Sequence, residues 1–218
     1  MLTNLRRLTV KSNKGRPAQI SKEDVVNGAL SIGLSSVTMN SLGKQLGVSA
    51  TALYRHVSSK HALILMCSDM VLGKVALPEE SDWEGYLYTF AERFRQALLS
   101  MPGSVEFVRH TQEFTPATNV LANDVLRVLG DAGFEPEIGF MAFASVYTRV
   151  TDLVEHQERS SMVKANETSS QENSEMLSQL DELPYLAKLL SNTQPLDYDQ
   201  YFKDGIKITI EGLKAVYC

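Results

Sequence analysis

Residues 38–57 read TMNSLGKQLGVSATALYRHV, and their spacing decides the fold. Two short helices joined by a tight turn need three things at fixed offsets. One is a small residue where the helices touch, which Gly43 supplies. Another is a residue at ease with positive φ in the turn, which is Gly47, four later. The last is an apolar plug on the second helix, which is Leu53. Leu42, Leu46 and Val48 complete a small core, and Thr38 and Ser49 stand where N-caps belong. This is the helix-turn-helix arrangement, whose second helix fits the major groove of DNA. Many helical hairpins share the spacing, so the setting of the motif must sharpen the reading.

That setting is a strongly uneven charge distribution. Residues 1–60 carry nine Lys/Arg and two acids, a net +7, whereas residues 61–218 carry twelve and twenty-four, a net −12. A basic head on an acidic body directs the first sixty residues toward a polyanion. The bland alternative is a solvated basic tail, but a folded helical unit lies inside this head, which favours contact with double-stranded DNA. The 218 residues suit one compact domain, or a small one joined to a larger one, and a composition 44% hydrophobic and 22% charged excludes wholesale disorder. Only Cys67 and Cys218 occur, with no CxxC pair, which excludes a disulfide scaffold and a clustered zinc site and suits a reducing cytoplasm. The start, MLTNLRRLTV, lacks the apolar core of a signal peptide, and no apolar run approaches a membrane span. We therefore expect a cytoplasmic location and no membrane partner.

Helical periodicity continues on both sides of the motif. Residues 1–19 read as a flexible basic arm. Ser21 opens a helix with Val25, Val26, Ala29 and Leu30 on its apolar stripe and Gly33 at its end. Ser59 caps a fourth helix through Leu63, Met66 and Met70 toward Pro78. Asp82 to Met101 is amphipathic, with Trp83, Leu87, Phe90, Phe94 and Leu98 at helical steps. A short helix through Val105 to Val108, a helix from Pro116 to about Asp131 and the longest one, from Pro136 to about Arg159, follow. Residues 160–175 read as a flexible loop, Met176–Leu190 as helix interrupted by Pro184, and Asp199–Val216 as a closing helix with Phe202, Ile206, Ile210 and Leu213 on one face. The fold class is all-α: a three-helix DNA-binding domain over 20–60, and a larger helical domain over 61–218.

With GRPAQISKEDVV, the motif and LYRHVSSKHAL in place, the chain resembles the TetR family of bacterial one-component regulators. Weaker similarity to the tetracycline-repressor branch runs through DWEGYLYTFAERFRQALLS, LVEHQER and FKDGIKITIEGLKA. The resemblance implies that Tyr54 and Lys60 grip phosphates and that His56 lies near the backbone. It implies that Thr38, Asn40, Ser49, Ala50, Thr51 and Arg55 contact DNA, Asn40 either reading adenine or touching only the backbone, and Arg55 being the candidate for a guanine contact, with a phosphate contact as its alternative. Lys14 and Arg16 resemble an arm laid in the minor groove. A homodimer on a palindromic operator is expected, pairing helices 136–159 and 199–216 through residues such as Ile206 and Ile210. One departure stands out: between Leu30 and Thr38 the chain is roughly one helical turn shorter than family members usually are, so the first helix must end early or its loop must tighten near Gly33.

The larger domain has no catalytic signature, no metal site and no cofactor motif. Asp152, Glu155 and Glu158 form an acidic row whose bland reading is a solvated face, although Glu155 matches a position where tetracycline-binding relatives place a carboxylate. His110 is only an offset match to their histidine, which argues against tetracycline itself. Met66, Met70, Phe90, Phe94, Met101, Phe107, Phe114, Phe140, Met141 and Tyr147 read singly as core. The resemblance implies that 61–218 is a ligand-binding and dimerisation domain with an apolar cavity among these helices, which together they would line for a small apolar or aromatic effector. Phe94 matches a pocket-lining aromatic. The expected function is a repressor that such an effector releases from DNA. The rival, an enzyme or a protein–protein adaptor with an incidental helical hairpin, leaves the charge split and LYRHV unexplained.

Overall fold

The computed structural model describes residues 20–80, 82–111, 113–166, 183–190 and 196–218. Ten α-helices lie among them, and no strand does. The head comprises α1 (Lys22–Ile32), α2 (Met39–Leu46) and α3 (Ala50–Leu53). The body comprises α4 (Lys60–Leu72), α5 (Trp83–Leu99), α6 (Ser104–His110), α7 (Pro116–Asp131), α8 (Pro136–Asn166), α9 (Pro184–Leu190) and α10 (Tyr198–Tyr217).

Each boundary in the head has a local cause. Ser21 and Asp24 form a reciprocal capping box at the start of α1, as Thr38 and Ser41 do for α2. The hydroxyls of Ser49 and Ser59 accept the N–H groups of Ala52 and Ala62, so α3 and α4 each begin on a serine cap. Gly47 ends α2 in the left-handed region at φ 70°. At Gly43 the need is space: an added Cβ would stand 2.8 Å from the Val48 carbonyl oxygen. The short α1–α2 connection resolves at Gly33, φ 82°, where α1 stops and the chain turns tightly, the Val37 N–H donating to the Gly33 carbonyl at 2.9 Å. Two distant side chains then pin this loop: the Leu34 N–H donates to Glu106 Oε2 and Lys60 Nζ donates to the Leu34 carbonyl, both at 3.1 Å.

In the body, α5 is wrapped by α4, α7, α8 and α10, and Leu87, Phe90, Phe94 and Leu98 are fully buried. The helix α4 touches α1 on the head side and α5, α6 and α7 on the body side, so a single apolar core runs through both. The sequence expectation of a loop over 160–175 is corrected at its start, since α8 continues through Asn166; the remainder of that loop, the 176–182 part of the expected penultimate helix and the 1–19 arm lie outside the described residues. Pro184 stands at the first position of α9, its missing N–H falling where none is needed. A second correction concerns Ile206 and Ile210. They are 1% and 0% exposed within one chain, taken up by its own α5 and α8, so they are not an interface awaiting a partner.

The head's two glycines make a direct test. Gly43→Ala should lower stability by roughly 1–3 kcal/mol through steric conflict with the Val48 carbonyl, and Gly47→Ala by about 1–2 kcal/mol through its left-handed backbone. Urea midpoints at constant slope measure both, and two unchanged midpoints would refute the turn geometry.

Candidate nucleic-acid interface and ligand cavity

The second helix of the motif is a single α-helical turn, prolonged by the His56 and Val57 N–H groups donating to the Leu53 carbonyl at 2.8 and 3.0 Å. Leu53 and Val57 face inward, and that leaves Ser49, Thr51, Tyr54, Arg55 and His56 exposed along one outer surface. Ala50 is half-buried at its edge, and Thr38 and Asn40 lie exposed where α2 begins. Lys60 is exposed in the first turn of α4, where unpaired helix N–H groups and their partial positive charge also favour phosphate. Its ammonium currently serves the Leu34 carbonyl. Lys14 and Arg16 lie outside the described residues.

Behind the head a cavity of about 150 Å³ opens between α4, α7, α8 and the α6–α7 connection. Phe143 and Tyr147 of α8 form one wall, Ser68 of α4 another, and Glu113, Phe114 and Phe140 lie toward the surface. Phe114 and Phe140 stack at 6.2 Å between ring centroids. Two hydroxyls are uncommitted. Ser68 Oγ is buried with no hydrogen-bond partner, and the Tyr147 phenol, whose pKa burial raises, stays neutral and able to donate. Glu113 Oε1 pairs with His61 Nε2 at 3.0 Å, and Asp69 Oδ1 accepts the Ala117 N–H at 2.8 Å, so α4 is tied at two points to the segment that bounds the cavity.

Among the residues expected to hold a ligand, Phe114, Phe140 and Tyr147 line this cavity. The others are elsewhere, for identifiable reasons. Phe90 and Phe94 are one layer too deep: they stack on Phe143 and Tyr147 from the core side, at 5.8 and 4.8 Å. Phe107 is fully buried in α6. Met66 and Met70 pack against the core, and Ser68, two residues from each, lies on the opposite side of α4. His110 is exposed at the end of α6. Met141 borders an open groove with Ser145, Arg149 and Thr209. Glu155 is occupied by Arg109 and Arg159. What sequence reasoning missed was Ser68 and Phe143; a lone hydroxyl inside the apolar run LILMCSDMVL was the available signal for Ser68.

Comparison with known proteins decides the lineage. Residues 76–217, well over half of the chain, match the family model of the tetracycline repressor-like C-terminal domain. The chain belongs to the TetR family. It is 29% identical to the class E tetracycline repressor of Escherichia coli over 91% of this chain and 92% of that one. In solved structures it resembles ActR of Streptomyces coelicolor in complex with actinorhodin, with a TM-score of 0.69, 22% identity and coverage of 91% and 97%, a likeness of fold. It also resembles a variant of TetR from Acinetobacter baumannii AYE in complex with minocycline, with a TM-score of 0.64, 27% identity and coverage of 90% and 98%. This TetR-family chain is accordingly a ligand-responsive transcriptional repressor and not an enzyme. Among the described residues no group of three His, Cys, Asp or Glu side chains is placed to hold a metal ion, and no helix is long and apolar enough to cross a membrane.

The cavity wall carries a chemical check on its packing. Cys67, next to Ser68, is buried and its thiol is pushed up to about 12, whereas Cys218 is exposed. The thiolate is the reactive form, so a raised value protects Cys67. Ellman's reagent at about pH 8 should titrate Cys218 rapidly in the native protein and Cys67 only after denaturation. Equal native rates would contradict the packing of α4.

Proposed function

We propose that this protein acts as a cytoplasmic homodimer that represses transcription at a palindromic operator and leaves it when a small aromatic effector enters the cavity. The observation that carries the reading is the double placement of α4. Its first turn carries the exposed Lys60, bonded to the α1–α2 loop, and its later turn puts Ser68 in the cavity wall. A ligand shifts operator affinity only through different affinities for two arrangements of the heads, and α4 is the element that a bound ligand and DNA would both touch. The ligand-bound relatives support an effector of this kind, and the cavity's four aromatic rings suit it.

Two copies of the motif reading a palindrome require a two-fold dimer. The surface that fits one is the outer side of α10 and α8, where Ile208 is 71% and Val216 70% exposed and Met141 borders the open groove. Ile208→Glu should give a folded monomer with unchanged helicity and weakened operator binding. Sedimentation of the parent chain as a monomer at micromolar concentration would refute the dimer.

For DNA, Tyr54→Ala should weaken binding to all sequences alike and leave the salt dependence unchanged, because an uncharged hydroxyl displaces no counterion. Lys60→Ala should weaken binding likewise, shallow the salt dependence through the lost cation, and loosen the Leu34 loop. Arg55→Ala should change base preference by about 1–3 kcal/mol if it reads guanine. Fluorescence anisotropy with DNA from upstream of the protein's own gene, at two salt concentrations, tests all three. Unchanged affinities and slopes would remove α3 from the interface.

A further inference from the structure

The ligand cavity has a chemical polarity from its inner to its outer end. At the inner end Ser68 is 0% exposed and its hydroxyl has no partner, a costly arrangement in an apolar wall unless a guest completes it. At the outer end Glu113 is 64% exposed, beside the stacked and half-exposed rings of Phe114 and Phe140. Glu113 is the only charged side chain lining the cavity among the described residues, and no basic one joins it. A carboxylate ligand would therefore meet like charge, and the nearby basic side chain, His61, is already engaged by Glu113. An ammonium would meet both a carboxylate and aromatic faces, each of which attracts it. Size narrows the class further, since a cavity near 150 Å³ holds about one aromatic ring.

We propose that the effector is a small aromatic cation, one ring with a hydrogen-bonding group for Ser68 at its inner end and a protonated amine for Glu113 at its outer end. The amine signals by taking Glu113 from His61. His61 directly follows Lys60 in the first turn of α4, and its 3.0 Å contact with Glu113 is the pair that a competing cation would break. Both members are mostly exposed, 62% and 64%, so the pair biases α4 and does not lock it. This step rests on the repressor reading above; the chemistry of the cavity does not.

The test uses the full chain and four probes of similar size: tyramine, with amine and phenol; tyrosol, with the amine replaced by a hydroxyl; para-hydroxyphenylacetate, with a carboxylate; and phenethylamine, lacking the phenol. Calorimetry should show tyramine binding about tenfold or more tighter than tyrosol or phenethylamine, and para-hydroxyphenylacetate not binding. Glu113→Gln should erase the gap between tyramine and tyrosol, and Ser68→Ala the gap between tyramine and phenethylamine. In anisotropy with operator DNA, tyramine should weaken binding by about fivefold or more, and His61→Gln should keep tyramine binding while losing that effect. The proposal is overturned if none of the probes binds, if the parent chain prefers no cation, or if Glu113→Gln leaves the preference intact. The parent-chain series does not depend on any variant folding. A parent that prefers tyramine yet binds no DNA would instead overturn the repressor reading and the signalling step, leaving the cavity's chemistry standing.

Discussion

Everything in this molecule hangs on the burial of α4 from nearly all sides. Leu63, Ile64, Cys67, Val71 and Leu72 are buried, some against the head and others against the body. A helix apolar around its circumference has no solvent face to settle on, so head and body cannot separate without exposing it. Truncating one such leucine typically costs about 2–5 kcal/mol, whereas an exposed ion pair such as His61–Glu113 contributes about 1 kcal/mol or less. Packing therefore fixes where α4 lies. The polar ties along it can only choose between arrangements that packing already allows, which is the regime in which a weak contact can act as a control.

Those ties converge on one strand of connectivity. Glu113 and Asp69 join α4 to the segment around the start of α7, while Glu106 and Lys60 join α6 and α4 to the α1–α2 loop. The cavity sits inside the first set, and the second set holds the loop between the first two helices of the head. Between them lie about two turns of one helix, from Lys60 to Ser68, rather than a long chain of side chains.

How much of this was legible in the sequence follows from the range of the forces involved. Caps and glycines act over three or four residues, so Thr38, Gly43, Gly47, Ser49 and Ser59 announced the head almost residue by residue. Helical periodicity announced the stripes of α5 and α10. Periodicity states that a face is apolar, however, and not what covers it: Ile206 and Ile210 look like an interface and are consumed within the chain, while Ile208 is left outside. The cavity was legible only in Phe114, Phe140 and Tyr147, because its walls come from four segments and its depth depends on which aromatic layer faces it. Phe90 and Phe94 have the right chemistry and stand one layer behind. Composition misled at the end of α8, where SSMVKAN is polar enough to pass for a loop yet contains no residue that stops a helix.

The tight loop after α1 bears on how such proteins can be recombined. A connection held by its own internal turns travels with the head wherever it is grafted. Here the loop is held in part by a carboxylate 72 positions away, Glu106, which accepts the Leu34 N–H. A head cut at the start of α4 would leave that carboxylate behind, and a new body would have to present an acceptor at the same place. The DNA-reading unit of this protein is thus not an interchangeable cassette: part of its local backbone geometry is encoded in the sequence of the domain behind it.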